Sequence, residues 1–404
     1  MIHDDGSLRD LGFSRPWATR AVCWGLAGGV GLIAIFAIVY NPFDFSVYRW
    51  GGDAVTHGMR LYSVQVRDDW FTYTPFAATV FIPIAAMPSV LGRLAWELLS
   101  LLALAVAAST TLKLAGYRPS WQVIAAVTVA GISLEPMYHT FYLGQINLIL
   151  MALILVDVWR AARGRPAGLG VGIAAAIKLI PLIFIAMFFL TGRIKAGVIS
   201  AATFAACGLI GYLVAPSDSR LYWGHLFYDT PRVGGGYISN QSPYGAAVRI
   251  AGGTAAVGHW FLVIPLLLGI AGLAIAIVMA RNGDWLGAVT VTGVTSLLVS
   301  PIAWTHHWVW ILPALVILLQ GGRWSKIAAV SAYLLFVSAP MWLTPWTPGS
   351  AQYGFHWLVT AAANCFLLAG LAFLGYAGWR AYQLQKGNGD QIAAQLPPVA
   401  VVRR

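Results

Sequence analysis

Runs of about 20 apolar residues recur from residue 19 to residue 379 of this 404-residue chain, and no motif constrains its fold as strongly. A helix that crosses a bilayer takes about 20 such residues. The runs fall at roughly 19–40, 94–114, 120–139, 144–162, 196–215, 259–280, 285–303, 308–321, 326–345 and 357–379. Inside lipid, every backbone N–H and C=O needs a partner within the protein, and a helix supplies one residue by residue. Only 10% of the residues are charged, against about 25% in a soluble domain. The chain reads as an all-α polytopic membrane protein. Counting short and re-entrant half-helices, the bundle has roughly 10–13 membrane helices.

The net charge of +11 follows from topology. With the N-terminus cytoplasmic and sides alternating, 17 of the 25 Lys and Arg residues fall inside and seven outside, and Lys178 lies within the membrane. That is the positive-inside asymmetry, and it makes a nucleic-acid partner unnecessary. Residues 1–18 form a cytoplasmic segment, and 19–380 form the transmembrane domain, with outer loops at about 41–93 and 216–258. Residues 381–404, with Gly387, Gly389, Pro397 and Pro398, read as a disordered cytoplasmic tail. Arg15 and Arg20 precede a first run without a clear cleavage site, so it reads as a retained span. Cys23, Cys207 and Cys365 all lie in apolar runs and match no metal or disulfide spacing.

Two stretches do not fit an up-and-down bundle. Residues 74–90 contain Pro75, Pro83 and Pro88, which break helix hydrogen bonds; they read as a helix lying along, or dipping into, the outer face. Residues 168–192 carry Lys178 and Pro181 near their middle, between Arg165 and Arg193. Two half-helices that turn within the membrane fit this pattern, and such breaks line protein-enclosed cavities.

Where charges are scarce, each one near an apolar segment is informative. Asp44 follows the first span among aromatic residues. Position alone leaves open a general base made more basic by desolvation and a helix-end cap. Asp53, Asp68 and Asp69 read as solvated loop charges. His306 and His307 suit contact with a phosphate; Trp304, Trp308 and Trp310 around them equally suit an interfacial aromatic belt. Adjacent histidines diverge by about 100° on a helix, which disfavours a shared metal ion. Lys178 needs a counter-charge, either a phosphate or a carboxylate such as Glu97, Glu135 or Asp157. Gln145, Asn147, Asn240 and Gln241 offer amides suited to sugar hydroxyls or to helix–helix contacts and turns. The loop around Asn240 is glycine-rich and aromatic, of a kind that closes over substrates.

Six segments, taken in order, carry a resemblance: Asp44-Phe-Ser-Val-Tyr48-Arg49, Tyr73-Thr-Pro75-Phe, Gly144-Gln-Ile-Asn147, Ala176-Ile-Lys178-Leu-Ile-Pro181, Asn240-Gln-Ser and Ser300-Pro-Ile-Ala-Trp-Thr-His-His-Trp308. Over residues about 19–325 the chain resembles family 87 of the GT-C glycosyltransferases. The resemblance implies a GT-C bundle of a bacterial plasma membrane with its active site at the periplasmic face. It implies a polyprenyl-phospho-mannose donor, a mannosylated phosphatidylinositol acceptor and an inverting α-(1→2) transfer. Asp44 is then the general base, with His306 and His307 as further catalytic residues. Lys178 and Arg49 bind the donor phosphate, and Tyr48, Tyr73, Gln145, Asn147, Asn240 and Gln241 contact sugar and acceptor. No metal ion or cofactor is expected. Other readings are transfer of α-(1→2)-mannose or arabinofuranose to lipomannan or lipoarabinomannan within the same family, and transport of a lipid-linked sugar, which Lys178 in a broken helix would also suit.

Overall fold

A computed structural model describes residues 9–12, 16–67, 69–229, 234–345 and 353–395. Arg15, Asp68, Arg232 and the end of the expected tail, with Pro397, Pro398, Arg403 and Arg404, lie outside the described residues.

The first run is one helix, α1 (Pro16–Val39), exposing Trp24, Leu32 and Val39 on the flank that faces lipid. After Asn41 and Pro42, α2 (Phe43–Thr56) is amphipathic, and at 14 residues it is too short to cross. Its buried edge lies on α3 (Pro75–Ala86), the proline-broken stretch. The approach is close: a Cβ on Gly52 would stand 2.6 Å from the Phe81 carbonyl oxygen. Thr74 starts α3 by accepting from the Ala77 N–H and donates its own hydroxyl to the Ala176 carbonyl.

α4 (Ser89–Leu114) crosses next. The run at 120–139 is divided into α5 (Trp121–Ile132) and α6 (Glu135–Leu143), because Pro136 opens a new helix where a missing N–H does no harm. Gly144, at φ +70°, turns the chain into α7 (Asn147–Ala162). Residues 168–192 form two nine-residue helices, α8 (Leu169–Ile177) and α9 (Leu182–Leu190), with Lys178 and Pro181 in the break. α10 (Ile194–Val214) shows how the two are arranged. A Cβ on Gly168 would strike the Ala196 carbonyl, and one on Gly197 would stand 3.0 Å from the Phe189 ring. The start of α8 and the end of α9 therefore share the first turns of α10, and Lys178 is carried to the tip of a hairpin.

The rest of the chain forms α11 (Pro216–Gly224), α12 (Pro243–Ala251), α13 (Val263–Arg281), α14 (Trp285–Val299), α15 (Ile311–Leu319), α16 (Arg323–Ser338), α17 (Trp357–Ala363) and α18 (Cys365–Gln395). α14 is buried at every residue from Leu286 to Leu298, as a helix apolar all round should be. α18 continues to Gln395, into the segment read as a tail. Among the described residues four helices, α1, α4, α10 and α13, are long and apolar enough to cross a membrane, and α17 with α18, bent by 76°, would be a fifth if the pair is one broken span. Several other runs read as single spans are divided by breaks into shorter helices. The run at 308–321, for example, opens as the 3-10 segment Thr305–Trp310.

Polar contacts gather one set of helix ends on one side. Gln320 donates to the Ala115 carbonyl at 2.8 Å, Arg193 to the Ala162 carbonyl at 3.4 Å, and Arg380 meets Asp284 at 2.8 Å. Lys113, Arg160 and Arg281 sit in the last turns of α4, α7 and α13 at this basic end. A two-stranded parallel pair, Arg9–Leu11 with Tyr117–Pro119, adjoins it. The opposite ends converge on a cavity.

Candidate active site

The cavity has a volume of about 1190 Å³ and is lined by α2, the loop after it, the turn at Gln145, the tip at Lys178, residues 234–239 and residues 299–307. Asp44 stands half-buried in the first turn of α2, where helix N–H groups favour negative charge. Tyr48 donates to Gln145 Oε1 at 2.8 Å, and Tyr73 reaches the same oxygen at 3.1 Å. With both phenols on the oxygen, the Gln145 amide nitrogen is committed to Asp44, to which its side chain is hydrogen-bonded. Burial pushes the Asp44 carboxyl up to about 6, against the hydrogen bond from Gln145. The charge of Asp69 adds to the rise, and Lys178 and His139 oppose it. A carboxylate of this kind is ionised at neutral pH and more basic than an ordinary aspartate.

Lys178 lines the same cavity. Its ammonium donates to Asn147 Oδ1 at 3.1 Å and to His307 Nε2 at 2.8 Å, and sits 5.6 Å from the centre of the Tyr73 ring. The Asn147 amide nitrogen donates to the His306 carbonyl at 2.9 Å, so Asn147 ties Lys178 to the histidine segment. His306 and His307 both line the cavity, their rings 4.7 Å apart and nearly perpendicular. Neither ring nitrogen of His306 has a partner, although the side chain is buried.

Asp44, Tyr73, Gln145, Lys178, His306 and His307 thus share one cavity. Tyr48 stands behind Gln145, fully buried. Other expectations need correction. Arg49 donates to the carbonyls of Ile84, Met87 and Ala85 at 2.7, 2.8 and 3.2 Å, closing the C-terminus of α3 away from the cavity wall. Asn240 is saturated by protein: it donates to Gly235 and Pro301 and accepts from Ser242 and Ala303. Gln241 donates to Ile238 and Ala363 and accepts from Phe366. Both are buried, and they build the cavity wall from behind. Asn147 likewise spends its amide on Lys178 and His306. Trp308 and Trp310 are core residues, 2% and 5% exposed, and not an interfacial belt. Among the carboxylates weighed for Lys178, Asp157 accepts from the Val171 N–H at 2.9 Å, Glu135 is bound elsewhere, and neither oxygen of Glu97 has a partner.

A second polar group was legible only as the string Glu135-Pro-Met-Tyr-His139 on one helix. Four residues apart on α6, Glu135 Oε1 holds His139 Nδ1 at 2.9 Å. The Trp342 indole N–H donates to the same oxygen at 3.0 Å, and Thr305 Oγ1 lies 2.9 Å from Nδ1. His139 also lines the cavity, and both of these partners of its ring are on Nδ1. Among the described residues no group of three His, Cys, Asp or Glu side chains could hold a metal ion.

Asp44 and Lys178 thus line one cavity in a helical membrane bundle. A model of glycosyltransferase family 87 matches residues 71–301, and the chain belongs to that family. It is 34% identical over 368 residues to the polyprenol-phosphate-mannose-dependent alpha-(1-2)-phosphatidylinositol pentamannoside mannosyltransferase of Mycolicibacterium smegmatis, covering 86% of this chain and 87% of the relative. It is 33% identical over 353 residues to a polyprenol-phosphate-mannose-dependent alpha-(1-2)-phosphatidylinositol mannoside mannosyltransferase of Mycobacterium tuberculosis, covering 80% and 81%.

Proposed function

We propose that the protein is an inverting α-(1→2)-mannosyltransferase that takes mannose from a polyprenyl phosphate and adds it to a phosphatidylinositol mannoside. The observation that carries this reading is Asp44 and Lys178 on one cavity, with the Gln145 amide nitrogen committed to the carboxylate. The acceptor oxygen attacks the anomeric carbon as Asp44 takes its proton. The bond from that carbon to the phosphate oxygen breaks, and the electron pair leaves with the phosphate. A lipid phosphate is a competent leaving anion, and Lys178 with the histidine segment meets its growing charge. Inversion follows from this single displacement, with no covalent sugar intermediate.

The basic helix ends lie away from the cavity, which supports a cytoplasmic face there, with both termini, and chemistry at the periplasmic face of a bacterial plasma membrane. The test is purified protein in detergent with a polyprenyl-phospho-mannose and a phosphatidylinositol tetramannoside. A product one hexose larger, α-(1→2)-linked by NMR, is expected. Movement of the lipid-linked sugar across sealed vesicles without a new glycosidic bond would replace the enzyme reading with a transporter. The reaction is also proposed to need no metal ion, so excess chelator leaves the rate unchanged.

The state of Asp44 sets the pH dependence. Its carboxyl is raised to about 6, so the base is lost on acidification through that value, and kcat/KM falls below about pH 6 rather than near pH 4. Gln145 favours the charged form. Gln145→Leu therefore moves the acidic limb upward, by about one pH unit for the loss of one hydrogen bond to a charged group. A limb that stays in place in the variant would remove Gln145 from the tuning of the base.

A further inference from the structure

Tyr237, Trp304 and Trp342 share one wall of the cavity. Their rings form a row, with centroids 6.2 Å apart between Tyr237 and Trp304 and 6.4 Å between Tyr237 and Trp342. All three are half-buried, unlike Trp308 and Trp310 in the core or Trp24 on the lipid face. The backbone beneath them is pinned. Gln241 N–H donates to the Ala303 carbonyl at 2.9 Å, the Asn240 amide joins Gly235, Pro301 and Ala303, and His307 N–H donates to the Trp304 carbonyl at 2.8 Å. The row continues into polar chemistry: the Trp342 ring stands 5.5 Å from His139 and its N–H holds Glu135. Beside Lys178 the lining adds aliphatic side chains, Leu179, Ile180 and Ile183, to the Tyr73 ring and His307.

The two surroundings suit different molecules. Aliphatic side chains beside an ammonium fit a hydrocarbon chain ending in phosphate. Aromatic faces beside an imidazole fit a pyranose, whose C–H face stacks and whose hydroxyls hydrogen-bond. We propose that Tyr237, Trp304 and Trp342 form the acceptor subsite, a stacking platform for the mannosides of the acceptor glycan, with His139 Nε2 bonding a hydroxyl of the same sugar. This assignment rests on the mannosyltransferase reading and divides its cavity into donor and acceptor sides.

Trp304→Leu tests it in the full-length protein. The acceptor KM rises tenfold or more while the donor KM stays unchanged, and Trp304→Phe, which keeps a ring, returns the acceptor KM to within threefold of wild type. An unchanged acceptor KM in the leucine variant, or equal rises in both KM values, overturns the subsite. Saturation-transfer NMR with α-(1→2)-mannobiose reads the platform without turnover. Wild type binds the disaccharide and Trp304→Leu loses it; no binding to wild type overturns the proposal. If wild type binds the disaccharide but transfers no mannose, the transferase reading fails and the platform stands.

Discussion

Asp44→Asn lowers kcat by about a thousandfold, within the 10²–10⁴ range of a positioned proton acceptor. The amide keeps the size of the side chain and its place in the first turn of α2, so the fold and the Tyr48–Tyr73–Gln145 cluster persist. What disappears is a lone pair basic enough to take the acceptor proton. Both KM values move little, because the base acts on a proton that only departs in the transition state. Steady-state kinetics on protein with wild-type thermal stability makes the measurement. Turnover within fivefold of wild type would pass the role of base to another group, and His139 would be next, since it faces the same cavity with a carboxylate behind it.

The second large effect is at Lys178. Lys178→Met lowers kcat/KM by about 10²–10³, the range seen when one preorganised donor to a developing oxyanion is removed. Methionine fills similar space, so the hairpin tip stays packed, but Asn147 Oδ1 and His307 Nε2 lose their common donor. Arginine does not restore the rate. Its planar fork cannot replace a compact ammonium held at 2.8 and 3.1 Å between two partners. The loss appears with the donor saturating or not, because the phosphate gains charge as its bond to the sugar breaks. A Lys178→Met enzyme with an unaltered kcat/KM would separate the lysine from the phosphate.

Scarcity of charge made Asp44, Lys178 and the histidine pair legible from sequence, since a charge near an apolar run rarely lacks a role. The proline and lysine inside residues 168–192 gave the broken hairpin for the same reason. Arg49, Asn240 and Gln241 misled because their partners are backbone groups, and backbone carbonyls carry no residue-specific signal. Arg93 shows the same habit, donating to the Ala37 carbonyl at 2.6 Å and the Ile38 carbonyl at 3.1 Å at the end of α1. The aromatic wall was hidden differently. Trp304, Trp308 and Trp310 look alike in the sequence, and only the 3-10 turn at Thr305–Trp310 sends the first to the cavity and the others to the core. The family match at residues 71–301 includes His139 and Lys178 but not Asp44, His306 or His307. These lie outside its bounds, and the folded chain brings them back to one cavity.

α8 has Asp157 at one end and Lys178 at the other. Asp157 accepts from the Val171 N–H and from the N–H groups of Gly168 and Gly170, the positive end of the helix, and Lys178 terminates its negative end. Asp157 sits ten residues along α7 from Asn147, about 15 Å away, and does not line the cavity. Yet it seats the hairpin whose tip presents Lys178. A genetic screen for lost glycolipid would therefore recover Asp157 alongside Asp44, and its alleles would look like active-site lesions although they arise at the opposite face of the bundle.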